Sequence, residues 1–556
     1  MEAGIQSSRR VGGVNVERAE RQGLPPDEHG YPGFNPRTDE FDKYVVERDI
    51  VVPLADGGQV IVDVYRTPGL TDLPAVISWS PYGKHKSQKD LKALIKFDDD
   101  ELIETAGFES LQPAWWCPRG YALVAADPRG CWGTPGDVTT ITPDEAADCC
   151  DLIEWAGTQS WSNGKVGMAG ASYPAMIQWN VAAMQPPRLA AINPWEAISD
   201  LYRDLCFHGG ILNTQFQPIW WELMAKSNGV VEDVVAMGYQ SPLFDEYWAE
   251  KVADWSKIDV PAYVGASWTD QGIHTRGTLE AFKRMSSEHK FVEIHGQKKF
   301  EYFYLPEVRE RIYAFFERFL KDVDNVVSDW PMVRMEVRER RYVGTWRDES
   351  EWPLARTDYQ RLYLDASTGA LARDEVGTES SVSYDSTVDG GATFDIKLDE
   401  DVELSGHMKL RLWVEAQGSD DMALFVAVQK LDENGEFVPF LYLNIRENGS
   451  AAFGWLRVSH REEDESRSTD YQPYHTHTSE QLLSPGEIVP VNIEILPSST
   501  LFRAGESIRV LVQGKDVHEY PRDEISVGHW ETRNRGQHVI HSGGQYDSHL
   551  LIPVVG

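Results

Sequence analysis

The sequence is short of cysteine, of basic charge and of long apolar runs, and each shortage excludes a class of protein. Its five cysteines, Cys117, Cys131, Cys149, Cys150 and Cys206, are odd in number and match neither a disulfide framework nor a C-x-x-C metal site. They read as reduced thiols of a cytoplasmic protein. Against 88 Asp and Glu stand only 53 Lys and Arg, a formal charge of −35 with neutral histidine. A surface this negative repels phosphate backbones, and no Lys/Arg-rich run offsets it, so nucleic acid is excluded as a partner. No window reaches the ~18 apolar residues of a membrane span. The opening Met-Glu-Ala-Gly-Ile-Gln also lacks the basic patch and apolar stretch of a leader. The expectation is a cytoplasmic, non-membrane protein.

What is present is a globular chain. Its 556 residues are 41% hydrophobic and 25% charged, enough for several domains with real cores. Residues 1–40 are polar, without period-2 or period-3.6 patterning, and read as an N-terminal arm. From residue 41 strand signals alternate with helical ones: Tyr44 to Val52, Gln59 to Tyr65, Ala75 to Ser80 and Ala122 to Ala126 as strands, then a helix opened by Thr142-Pro143-Asp144-Glu145. This α/β alternation predicts a largely parallel sheet covered by helices over 41–193, resuming over 261–325. Between them, residues 194–260 lose the strand rhythm in amphipathic, tryptophan-rich stretches, as an inserted helical cap would. Residues 326–556 change to short alternating strands such as Leu410 to Val414, Val491 to Ile495 and Ile508 to Val512, which predicts an all-β sandwich.

The sharpest chemical signal is Gly167-Met168-Ala169-Gly170-Ala171-Ser172-Tyr173-Pro174-Ala175 at a strand-to-helix junction. Small residues there permit the tight turn of a nucleophile elbow, which exposes a serine hydroxyl and aims the next amide at a developing oxyanion. The competing reading is a serine that only caps the helix. In hydrolases of this fold the acid and base follow the serine in that order. Asp270, just past the strand Ala262 to Ala266, fits the acid. His295, ending the strand Phe291 to Ile294, fits the base by its place along the chain; His274 lies only four residues beyond Asp270, on the following helix, and His208 and His85 fall in the cap and the first loop.

Ser172 with its neighbours, together with Ser80-Pro81-Tyr82-Gly83, Asp127-Pro128-Arg129-Gly130, Asp63-Val64-Tyr65-Arg66, Gly454-Trp455-Leu456-Arg457 and His541-Ser542-Gly543-Gly544, resembles a superfamily of serine hydrolases. It is the cocaine esterase and X-prolyl dipeptidyl-peptidase superfamily, which includes α-amino acid ester hydrolases. The resemblance covers nearly the whole chain from about Glu40. It implies an α/β-hydrolase domain with an inserted helical cap and a C-terminal jelly roll, cleaving esters or amides through an acyl-enzyme. It implies Ser172 as nucleophile, Asp270 as acid, and the Tyr82 hydroxyl with the Tyr173 amide as oxyanion hole. One departure stands out. The family pattern Gly-Pro-Trp-x-His after the last strand is replaced by His295-Gly296-Gln297-Lys298-Lys299-Phe300, with Phe300 where the histidine belongs. Either His295 supplies the imidazole from a shifted position or the triad is incomplete.

Trp220, Trp268 and Phe300 are the expected lining of an apolar substrate pocket. Lys298, Lys299 and the aromatic run from Phe300 to Tyr304 offer an alternative lining for an acidic, aromatic substrate. His475-Thr476-His477 lacks a third ligand at a convincing offset, so no metal is expected, and serine chemistry needs no cofactor. The leading expectation is a serine hydrolase of a small-molecule ester or amide. An acyltransferase or other biosynthetic enzyme on the same fold, and a triad-deficient ligand-binding homologue, are the competitors. A homo-oligomer is compatible with all three.

Overall fold

The computed structural model describes residues 5–11, 14–87, 106–443 and 445–556. The first sheet contains β1 (Val45–Pro53), β2 (Gln59–Arg66), β3 (Leu73–Trp79), β4 (Ala122–Asp127), β5 (Ser162–Ala171), β6 (Leu189–Trp195), β7 (Ala262–Ser267), β8 (Lys290–His295) and β9 (Val333–Arg340), with Arg37–Glu40 paired onto β1 and Val343–Glu349 onto β9. They lie in the order β1-β2-β4-β3-β5-β6-β7-β8-β9, antiparallel at the β1-β2-β4 edge and parallel from β4 onward. The chain leaves β3 toward one edge and leaves β5 toward the other. A crevice therefore opens at the carboxyl ends of β3 and β5, where ligands of open α/β sheets bind.

Helices α1 (Pro143–Gly157), α2 (Tyr173–Ala183), α3 (Thr275–Arg284) and α4 (Pro306–Leu320) cover the sheet. Thr142 caps α1 as its sequence predicts, its hydroxyl accepting from the Glu145 amide at 3.3 Å. The Glu145 carboxylate accepts from the Ile141 amide instead of closing the full box. Ala146, Cys149, Leu152, Ile153 and Ala156 recur at helical spacing and face inward. Helix α2 is buried almost all round because it lies among β5, β6 and α1.

Residues 194–260 contain helices Phe216–Met224, Val234–Gln240 and Glu246–Ala249 with three short strands. One of these, Val230–Glu232, pairs with Val14–Gln22, which itself forms a hairpin with Ile5–Val11. The N-terminal segment expected to lack pattern is thus partly a β-hairpin. Its pattern is hidden because the buried side chain Arg18 stands where an apolar residue would be looked for, neutralised by Glu250 at 2.8 Å.

Beyond β9 the strand pairings are antiparallel apart from a short parallel contact of Ala370–Ala372 with Ala392–Lys397. The long strand Val402–Gln417 pairs with Val489–Phe502, Gln537–Ser542 and His549–Val555, while Ala423–Leu431 pairs with Ser507–Gln513 and Ala452–Arg457. Leu410, Leu412 and Val414 alternate inward to meet Leu424, Val426, Ile493 and Val510 in a second core. Burying each such side chain contributes about 1.5–3 kcal/mol. No helix among the described residues is long and apolar enough to cross a membrane.

Candidate active site

The crevice at the ends of β3 and β5 holds Ser172. Its backbone sits at φ 59°, ψ −122°, the strained turn of an elbow, and its side chain does not cap α2 although it occupies the capping position. Gly170 makes the turn possible: a Cβ there would lie 2.5 Å from Pro174 Cβ and 3.0 Å from the Glu109 carbonyl oxygen. The Ser172 amide donates to the Trp195 carbonyl at 3.0 Å, fixing the turn to the end of β6. Unlike its fully buried neighbours, Ser172 keeps partial exposure.

The histidine within reach of Ser172 is His274. Its Nε2 is 3.2 Å from Ser172 Oγ, and its Nδ1 makes a very short contact with Asp270 Oδ2. Three successive amides, Ile273, His274 and Thr275, donate to the Asp270 carbonyl. This winds the chain into one turn that lays the imidazole over the carboxylate, the meeting expected of residues four apart on a helical turn. Burial, followed by the positive charge of Lys299, pushes His274 down to about 4 against the pull of Asp270. The imidazole is therefore neutral near pH 7 and free to accept the serine proton.

His295, expected as the base, is elsewhere. It is fully buried at the end of β8, stacked on Tyr302 at 4.2 Å, with Nε2 3.2 Å from Glu196 Oε1. The chain beyond β8 turns at once into the short helix Lys299–Phe303, which brings Lys299 rather than His295 to the Asp270–His274 pair. The sequence carried a signal that was passed over: Asp270-x-x-x-His274, in a chain whose family position for histidine holds Phe300.

Tyr82 leaves the end of β3 beside the elbow, its hydroxyl facing Ser172 and accepting from Trp220 Nε1 at 3.1 Å. Burial holds this phenol well above its ordinary range, so it is a neutral donor. The Asp127 motif and a tryptophan just beyond it brace this loop: the Asp127 carboxylate accepts from the Lys84 amide at 2.6 Å, and Trp132 Nε1 donates to the Pro81 carbonyl at 3.0 Å. Trp220 thus lies at the site, 6.2 Å from the Tyr173 ring. Trp268 and Phe300, the other expected lining residues, serve packing. Trp268 is buried against Trp352 and donates to the Glu336 carbonyl, and Phe300 joins an aromatic cluster under the Lys299 ammonium. Lys298 turns outward to Glu447 at 2.9 Å.

Of two further charged groups at the site, Glu109 has no signal in the sequence, and Lys299, expected as lining for an acidic substrate, stands instead beside the acid and the imidazole. The Glu109 carboxyl lies at the Tyr173 amide, the expected oxyanion donor, and burial pushes it up to about 8. Lys299, 2% exposed, sits 3.7 Å from Asp270 Oδ2 and 3.4 Å from His274 Nδ1. Glu196, Asp270 and His274 each bring one potential ligand atom within 4.8 Å of the others. The Lys299 ammonium already compensates the charge there, which makes a poor cradle for a cation.

The chain matches two family models, X-Pro dipeptidyl-peptidase (S15 family) over residues 56–297 and X-Pro dipeptidyl-peptidase C-terminal non-catalytic domain over 325–551. It is 25% identical to the cocaine esterase of Rhodococcus sp. (strain MB1 Bresler), over 92% of this chain and 99% of that protein. A crystal structure of a CocE/NonD family hydrolase from Staphylococcus aureus superposes with a TM-score of 0.90 at 39% identity, covering 92% of this chain and 94% of the other. An α-amino acid ester hydrolase shares the fold, with a TM-score of 0.69 at 16% identity over 94% of this chain and 98% of the other.

Proposed function

Because the chain belongs to the CocE/NonD family of hydrolases, we propose that it cleaves a small-molecule ester or amide through Ser172, His274 and Asp270 and an acyl-enzyme. The observation that carries this reading is the Ser172 Oγ to His274 Nε2 approach of 3.2 Å, with Asp270 behind the imidazole. Ser172 Oγ attacks the carbonyl carbon as its proton passes to His274 Nε2. The imidazolium then gives that proton to the departing alcohol or amine. Water, deprotonated by the same imidazole, attacks the acyl carbon and releases the acid. Asp270 holds the Nδ1–H tautomer and stabilises the imidazolium.

The Tyr82 hydroxyl and the Tyr173 amide are the proposed oxyanion donors. Trp220 supports this role by occupying the Tyr82 lone pair, which leaves the phenol proton free to point at the substrate. Glu109 lies at the Tyr173 amide in the resting chain, so the substrate oxygen must displace its carboxyl. In the same reading residues 194–260 are the cap over an acyl pocket reaching Trp220, and residues 326–556 form a jelly roll. The acyl group is apolar or aromatic, as the tryptophans of that segment favour.

The test is burst kinetics with p-nitrophenyl esters and matched anilides of apolar acids. A stoichiometric burst from the wild type, abolished in Ser172→Ala, supports the acyl-enzyme. Turnover that persists in a correctly folded Ser172→Ala overturns it.

A further inference from the structure

Behind the proposed triad lies a second buried carboxyl. Glu196 follows β6 directly and carries a left-handed backbone, φ 47°, uncommon for a residue with a side chain. That conformation is held by its amide donating to the Gly265 carbonyl at 2.8 Å. Strain of this kind persists where surrounding structure enforces it. Here it turns a fully buried carboxyl against that of Asp270.

The hydrogen positions follow from the partners. The Gln297 amide donates to His295 Nδ1 at 3.2 Å, so a neutral His295 carries its proton on Nε2 and donates to Glu196 Oε1. Burial pushes His295 down to about 4, which keeps it neutral. At the other end, Asp270 accepts from His274 Nδ1 and lies 3.7 Å from the Lys299 ammonium. Two carboxyls in contact cannot both stay ionised, and the one beside the ammonium and the imidazole N–H keeps the charge.

Building on the hydrolase reading above, we propose that Glu196 is a positioning residue: a neutral carboxyl that donates a hydrogen bond to Asp270 and thereby sets the orientation and basicity of His274. The chain of donors runs from His295 through Glu196 to Asp270, which then receives the His274 N–H. His295 so belongs to the site's supporting structure without touching the serine. Burial and the charge of Asp270 hold Glu196 well above the ordinary carboxyl range, with Lys299 opposing. The charged and titratable groups facing this network are Asp270, Lys299 and Glu109 on the serine side, and Glu293 and Glu336 around His295.

The experiment compares Glu196→Gln and Glu196→Leu with wild type in kcat, KM and the pH profile of kcat/KM. Glutamine keeps a neutral donor, so E196Q is expected to retain kcat within about threefold with an unmoved acid limb. Leucine removes the donor, which leaves Asp270 more basic and strengthens its hold on the imidazolium. E196L is expected to lose about ten- to hundredfold in kcat, with the acid limb moved to higher pH. Equal losses in both variants, wild-type behaviour in both, or a loss in E196L without a moved limb overturns the proposal. Infrared difference spectra keep the test decisive should E196L misfold. A protonated-carboxyl band present in wild type near pH 7 and missing in E196Q supports it; a band unchanged by E196Q overturns it. Fluorophosphonate labelling separates the two readings, since labelling that does not depend on His274 sinks the triad itself.

Discussion

At the scale of single residues, Lys299 governs the pH range of the site. Its charge lowers His274, so Lys299→Met raises the imidazole pKa and activity is lost at a higher pH on acidification than in wild type. The acid limb of kcat/KM measures this directly, and an unmoved limb would contradict it. Tyr82→Phe removes one proposed oxyanion donor and is expected to cost about 10²- to 10³-fold in kcat/KM, with a small fall in Tm because Trp220 Nε1 loses its acceptor. Glu109 contributes through stability. Its carboxyl, ordinarily near 4.5, is pushed up to about 8, so the folded state favours the protonated form. The stability this lends is full below about pH 4.5 and is lost as pH rises through 8. Glu109→Gln fixes the neutral form, so its Tm advantage over wild type is expected to open between pH 4.5 and 8; a pH-independent difference would refute this. Of these residues Ser172, Asp270 and Tyr82 are named by local sequence signatures, and Lys299 only as a lining for an acidic substrate. The elbow and the strand ends have local signatures, whereas Glu109, Glu196 and Lys299 take their roles from burial beside partners far along the chain. His274 was visible but was set aside because nearness in sequence was read as a disqualification. On a turn wound about the Asp270 carbonyl, that nearness is what joins them.

At the scale of elements, the elbow is where the fold stores strain. Gly170→Ala would force a Cβ to 2.5 Å from Pro174 Cβ at a φ of 150°. It is expected to destabilise by about 1–3 kcal/mol and to blunt serine labelling, measurable by denaturant unfolding and intact mass. The strands of the parallel sheet were readable because central parallel strands are continuous apolar runs, and α1 because Thr142 and Pro143 announce it. The N-terminal hairpin was not, since Arg18 points inward to Glu250 and mimics a polar loop. The end of β8 misled for a related reason. A histidine closing a strand marks a site only if its ring faces the serine, and the His295 ring lies against Glu196 and Tyr302 instead.

At the scale of the whole molecule, the C-terminal β-region grips the loop that bears Asp270 and His274, the proposed acid and base. The Leu443 amide donates to the Thr269 carbonyl at 2.8 Å, and the Phe453 amide to Gln271 Oε1 at 2.8 Å. This region thereby helps to fix where Asp270 and His274 stand. Gln271→Leu is expected to lower kcat about tenfold with little change in KM, since it loosens positioning while leaving substrate contacts intact. A rise in KM with kcat preserved would place Gln271 in binding instead. The most direct test of the central claim is intact-mass labelling by a fluorophosphonate probe, comparing wild type with folded Ser172→Ala, His274→Ala and His295→Ala. The expected result is stoichiometric labelling of the wild type, none in Ser172→Ala, a rate lower by about 10²- to 10⁴-fold in His274→Ala, and substantial labelling in His295→Ala. Labelling that survives His274→Ala at the wild-type rate but vanishes in His295→Ala would contradict it, and would return the base to the end of β8.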